Sequence, residues 1–306
     1  MIGFGALAYF SPPSEWIAAL GQVPRQNLAL GGGLFACGCL SISIRWRACL
    51  SYRVSFLQAF HSQGIAMAGN LLIPGRSGEP LRVYALAQRG LPAEYATSGV
   101  VQERLADQLF RVLLFATALM LGGSGGRQSA DYRLLGIILA TLALFGVLAL
   151  LVRYHLAVAS FSGRWLGRLP KLNASTVERF VRSTLLDLAL MWTRPAALVW
   201  GGVAWLFYTA HMSTVLEAFF PNDGLEMACV CMSFGSPTTS GKPGGYHLVL
   251  VAAMMAFSAD KGVALKAAVV LFLFQVAFYS LWGVASWFAL KAGPKLTAPV
   301  GAEELP

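Results

Sequence analysis

The chain has 306 residues, 57% of them hydrophobic and only 12% charged, and its mean hydropathy is +0.62. A soluble domain usually carries about twice that charged fraction, so the composition argues against a soluble enzyme and for an all-α, polytopic integral membrane protein. The formal net charge of +9 comes from short basic blocks between apolar runs, which fits cytoplasmic loops and anionic lipid surfaces rather than nucleic acid.

In chain order, residues 2–10 are apolar but too short to cross about 30 Å of hydrocarbon, so they read as the stub of a span or as an interfacial segment. The first four residues lack a basic n-region, and no cleavable signal peptide is expected. Pro12, Pro13, Ser14, Glu15 and Trp16 open a short amphipathic stretch. The first convincing span covers residues 27–44, and Arg45, Arg47 and Arg53 after it place its end in the cytoplasm. Residues 54–73 carry no formal charge, yet Ser55, Gln58, His61, Ser62, Gln63, Gly64 and Asn70 make them wet for a lipid-facing helix. A full crossing would also carry Arg76, Arg82, Arg89, Arg104 and Arg111 to the outside. A re-entrant hairpin over about residues 54–107 meets both objections. Non-helical backbone is tolerated at membrane depth where protein or a watery cavity surrounds it.

Residues 109–121 then lead outward, 122–127 turn, and 134–152 return as a span. Residues 153–182 set Arg153, Arg164, Arg168, Lys171, Arg179 and Arg182 against Glu178 alone and read as the main cytoplasmic loop. Helix follows over 183–192, and residues 196–216 cross outward again. A Pro/Gly break at 237–245 divides a second hairpin over 225–262, entering from the outer face. Residues 267–290 form the last span, with Lys291 and Lys295 beyond it and a disordered cytoplasmic tail over 293–306. The whole is one helical membrane domain, residues 1–292, with two interrupted hairpins dipping in from opposite faces. That is the pattern of inverted-repeat transporters with a site near the midplane.

Charges and helix breakers at membrane depth are costly and mark a site or a pathway. Arg76, Glu79 and Arg82 are spaced i, i+3, i+6, so one helical face presents all three if helix starts near Ser77. Two guanidinium forks with one carboxylate suit a phosphate that carries an amine or polyol; the plainer reading is an interfacial Arg–Glu pair capping a turn. Glu103 and Asp107 share a face at i, i+4, where like charges repel, and Arg104 and Arg111 flank Asp107. They are either a salt-bridged helix at the surface, or partners of Arg76 or Arg82, or proton carriers.

Other features carry less. Gly235, Gly241 and Lys242 mimic a phosphate loop, but five residues separate the glycines where four are needed, and Pro243 replaces the magnesium-holding hydroxyl. His247 reads as a relay or a head-group contact, or simply as a hydrogen-bonded membrane histidine. Cys37, Cys39, Cys49, Cys229 and Cys231 form no zinc spacing and read as packing residues. No catalytic or nucleotide fingerprint appears, so no enzyme activity, cofactor or metal is expected.

Asn70, Pro74, Gly75, Arg76, Gly78, Glu79 and Arg82, followed by Glu103, Arg104 and Asp107, resemble the signature of the lysylphosphatidylglycerol synthase transmembrane region. This is the flippase-like membrane domain at the front of the multiple peptide resistance factor. Residues 240–247, with Pro243, Gly244, Gly245 and His247, resemble a later segment of that family, and Arg45-Trp46 an early one. Lys242 departs from the pattern, and the family's synthase activity, which belongs to a soluble aminoacyl-transfer domain, is not expected to carry over.

The resemblance implies an all-helical domain with re-entrant helices in the bacterial inner membrane, moving lipid or lipid-linked head groups between leaflets. In that reading Arg76 and Arg82, with Asn70, hold the lipid phosphate and Glu79 meets a cationic or hydroxylated head group. Glu103, Arg104 and Asp107 form the charge network behind them, and Pro74, Gly75, Gly78, Pro243, Gly244 and Gly245 break the hairpins. The expected partners are anionic or aminoacylated phospholipids or a lipid-linked glycan. A second copy of the chain, or a synthase or glycosyltransferase, would be its protein partner. The alternative is a lipid-binding scaffold that transports nothing and assists such an enzyme.

Overall fold

The computed structural model describes residues 13–73, 77–121, 146–147, 149–151, 153–166, 168, 173–189, 195–234, 245–257 and 259–292. Among the described residues there are eleven α-helices and no strand. They are α1 (Pro13–Gln22), α2 (Arg25–Cys49), α3 (Phe56–Leu72), α4 (Gly78–Ala87), α5 (Ala93–Leu121), α6 (His155–Leu166), α7 (Ala174–Ala189), α8 (Pro195–Leu216), α9 (Gly224–Phe234), α10 (Gly245–Ala256) and α11 (Lys261–Ala292).

The centre is the pair α2 and α8. Asn27 Nδ2 donates to the Thr214 carbonyl at 3.0 Å, and His211 Nδ1 lies 2.9 Å from the Gly31 carbonyl. Farther along, Gly38 lies against the Tyr208 ring, and Gly201 against the Arg45 side chain. Partner numbers fall along α8 as they rise along α2, so the helices run antiparallel. The paired stretch from residue 27 to residue 45 spans about 27 Å at ~1.5 Å per residue. That is close to the ~30 Å of a hydrocarbon core. Phe35, Tyr208, Met212, Phe272 and Tyr279 form the buried core between α2, α8 and α11.

After α2 the chain reverses through Ser51 and Tyr52, both in the left-handed region with φ 53° and 59°. A capping box then starts α3. Ser55 Oγ accepts from the Gln58 amide at 3.2 Å and Gln58 Oε1 from the Ser55 amide at 2.9 Å. Small residues let α3 meet α11: a Cβ at Gly64 would lie 2.7 Å from the Trp282 ring, and one at Gly283 would overlap the Ala68 methyl. Close backbone approach of this kind is how helices associate in lipid, where no hydrophobic drive separates tail from side chain.

Helices α3 and α4 form a helical hairpin. Ser77 Oγ donates to the Gly69 carbonyl at 3.3 Å, the Gly78 amide donates to Asn70 Oδ1 at 3.0 Å, and Arg82 reaches back to Gln63. At the other end of α5, Ala118 packs with Cys229 and Val230 of α9 and Ala253 of α10, and Phe115 meets Phe234 edge-on.

Several expected boundaries move. The first span continues without a break to Cys49, so Arg45 and Arg47 lie inside the helix rather than after it. The charged stretch before residue 109 is not a separate surface segment, because α5 runs unbroken from Ala93 to Leu121. The basic region 153–182 holds α6 and most of α7, which pack on each other. Helices α2 and α11 are long and apolar enough to cross a membrane by length and composition, while α9 and α10 are shorter apolar helices. Residues 2–10, most of 134–152 and the tail 293–306 lie outside the described residues.

Large apolar side chains cover much of the surface, and a small set of charged side chains sits within the largely apolar interior. Leu113, Met120, Val199, Leu206, Leu248, Leu281, Val284 and Phe288 are exposed, while Arg45, Arg82, Glu103 and Asp107 are buried.

Candidate functional site: a closed ring of arginines and carboxylates

Three helices bring six charged side chains together: Arg45 from α2, Glu79 and Arg82 from α4, and Glu103, Arg104 and Asp107 from α5. The approach of α4 depends on Gly78, whose missing Cβ would fall on the Ala66 carbonyl oxygen of α3. On α4, Glu79 and Arg82 pair at i, i+3, Arg82 Nη2 lying 2.6 Å from Glu79 Oε2. On α5, Arg104 pairs with Asp107 in the same way, Nη1 to Oδ2 at 3.0 Å.

Links between helices complete the circuit. Arg45 Nε lies 3.2 Å from Glu103 Oε1, and Arg45 Nη1 lies 2.7 Å from Asp107 Oδ1. Arg82 Nη2 is 2.6 Å from Glu103 Oε2, and Arg104 Nη2 pairs with Glu79 Oε1. Each carboxylate therefore bridges two arginines and each arginine two carboxylates, in a ring of six alternating charges with no net charge. Neutrality is what lets such groups sit away from water, because a lone buried ion costs several kcal/mol; Arg82 and Glu103 Oε2 meet as an ion pair without hydrogen-bond alignment.

Neutral side chains fix the ring in place. Gln63 Oε1 accepts from Arg82 Nη1 at 2.6 Å. The Arg82 guanidinium carbon stands 4.0 Å over the Trp46 ring, a cation–π contact that suits a desolvated arginine. The Trp46 indole N–H donates to Ser62 Oγ at 3.0 Å, which locks that ring's orientation. From α8, the Trp205 indole N–H donates to Asp107 Oδ1 at 3.0 Å.

Of the expected site residues, Glu79, Arg82, Glu103, Arg104 and Asp107 meet in this ring. Asn70 is buried one step away, its Oδ1 capping the Gly78 amide. His247 lies elsewhere, buried on α10 with its ring 4.7 Å from that of Phe272. Gly245 opens α10. Pro74, Gly75, Arg76, Pro243 and Gly244 lie outside the described residues.

Sequence reasoning missed Arg45, Trp46, Gln63 and Trp205 as parts of the site. A signal for Arg45 existed: no Pro or Gly stands between Leu40 and Arg53, so nothing in the sequence ends the helix before that arginine. Among the described residues no group of His, Cys, Asp or Glu large enough to hold a metal occurs, and the four buried cysteines are free thiols.

No curated protein and no solved structure matches the chain. The family model described as the lysylphosphatidylglycerol synthase TM region matches residues 2–283, and the chain belongs to that family.

Proposed function

We propose that this protein is a lipid flippase-like transporter of the bacterial inner membrane, crossing it several times and moving phospholipid or lipid-linked head groups between leaflets. A bare head group cannot enter hydrocarbon, because losing its hydration without new partners costs too much. A transporter must therefore offer replacement charges inside an apolar shell, and the ring supplies them. The observation that carries the proposal is its uneven access. Glu79 and Arg104 are 14% and 20% exposed, whereas the other four side chains are at most 3% exposed. A head group would meet Glu79 and Arg104 first, and displacing Glu79 would loosen Arg82 behind it.

The hairpins support the same reading. The α3–α4 hairpin touches α5 at Glu103 and Arg104, and α9 with α10 touches it near Phe115. The two contacts lie roughly 16 Å apart along the helix, as expected of hairpins re-entering from opposite faces. The ring's completeness favours a second reading, a lipid-binding scaffold in which the charges only clamp helices together.

Exchange of labelled phospholipids between leaflets of proteoliposomes separates the two. The native protein is expected to accelerate exchange, and folded Glu79→Gln and Arg104→Gln variants to fall to the protein-free rate. No acceleration by the native protein across anionic, zwitterionic and aminoacylated lipids would establish the scaffold instead. Equal acceleration by all three proteins would keep transport and remove the ring from its path.

A further inference from the structure

The ring alternates in sign through its whole circuit: Arg82, Glu79, Arg104, Asp107, Arg45, Glu103 and back to Arg82. Of its six links, only Glu79–Arg104 has both ends partly exposed, at 14% and 20%. A ligand can open that link without first unpacking a buried side chain. Opening it parts one donor atom, Arg104 Nη2, from one acceptor atom, Glu79 Oε1.

Charge then decides what fits the gap. An anion alone pairs with Arg104 and strands Glu79; a cation alone does the reverse. Either leaves the cluster with a net charge in a largely buried setting, which is unfavourable. A dipolar ion restores the pattern. With an ammonium on Glu79 and a phosphate on Arg104, the circuit reads plus, minus, plus, minus without interruption, and its net charge stays zero.

We propose that the Glu79–Arg104 link is the entry point for a dipolar head group, an alkylammonium joined to a phosphate by a short linker, which inserts into the ring as two further alternating charges. This rests on the transport reading only in taking a membrane lipid as the source. The recognition itself does not require movement between leaflets, and soluble glycerophosphoethanolamine, a phosphodiester with one ammonium, offers the same chemistry.

The test is calorimetric titration of the purified full chain in maltoside micelles. The probes are short-chain phosphatidylethanolamine, the same lipid with its amine acylated, short-chain phosphatidylglycerol, soluble glycerophosphoethanolamine and inorganic phosphate. Phosphatidylethanolamine is expected to bind about tenfold more tightly than phosphatidylglycerol, tenfold being the usual consequence of one modest interaction gained or lost. Acylating the amine should remove that advantage with no change to the protein. Glu79→Gln should bind the two lipids alike, and Arg104→Lys should keep the preference. Soluble glycerophosphoethanolamine binding more tightly than phosphate supports the same site without acyl chains.

Phosphatidylglycerol bound as tightly as phosphatidylethanolamine would overturn the proposal, as would failure of both to bind or a preference that survives in Glu79→Gln. Selective binding without leaflet exchange would sink transport and leave this site standing. Exchange of every lipid without selective binding would do the opposite.

Discussion

Arg45 Nη1 and Asp107 Oδ1 are 2.7 Å apart, and neither side chain is more than 3% exposed. Removing one partner leaves the other charge buried, a loss of about 3–5 kcal/mol in comparable pairs. Arg45→Leu and Asp107→Leu are each expected to destabilise the protein by that order, read from unfolding in detergent. The double variant should lose less than the sum of the two, since it removes both charges of the pair. Strict additivity would mean that the two side chains do not act as a pair. Much of this site was legible. Glu79 with Arg82, and Arg104 with Asp107, follow from helical spacing, and Arg82 was among the partners that the sequence offered to Glu103. What spacing cannot say is which helix faces which. Arg45 read as a cytoplasmic anchor because an arginine after an apolar run usually is one, and only the tertiary contact with α5 gives it another role.

At the scale of elements, the ring depends on how closely α4 approaches α3. Any Cβ at Gly78 would collide with backbone, the Ala66 carbonyl, which cannot turn aside as a flexible side chain can. Gly78→Ala is therefore expected to force the hairpin apart at a cost of about 1–3 kcal/mol, as overpacking does elsewhere. Gly33 in α2 is the control, since a Cβ there meets nothing within 4 Å. Alanine at that position should be neutral or stabilising by up to about 1 kcal/mol through helix propensity. Melting temperatures of the two variants in one detergent test this, and a Gly78→Ala protein as stable as the control would mean that the approach is looser than described. Pro74 and Gly75 announced the end of α3, but Ser55 and Gln58 counted in the sequence only as polar positions in an apolar run, and their capping box emerges from the structure alone. Nor was the true start of α5 legible. Charges between Glu94 and Arg111 read as a boundary, whereas several of them are paired inside a continuous helix. The basic stretch around α6 and α7 misled in the same way, because charge density marks contact with water and says nothing about whether the backbone is helical.

For the molecule as a whole, the antiparallel register of α2 and α8 sets the sidedness. Arg53 lies past the end of α2 where Arg45 meets Gly201, and Asp223 past the other end, where Asn27 meets Thr214. Lys291 belongs with Arg53, because α11 meets the first turns of α3 through His61–Ser286 and Phe60–Trp282. Arg53, Asp223 and Lys291 are all exposed, so each is a site for a reporter thiol. In a Cys37→Ser background, which removes the one half-buried native thiol, Arg53→Cys, Asp223→Cys and Lys291→Cys variants can be treated with a membrane-impermeant maleimide. Asp223→Cys is expected to react in intact spheroplasts, and the other two only in inverted vesicles. The basic residues at the Arg53 end favour that orientation through the positive-inside rule. Labelling of all three from one side would mean that α2 and α8 lie along the membrane rather than across it. The charged ring would then sit at an interface, where water already satisfies a head group and no transporter is needed.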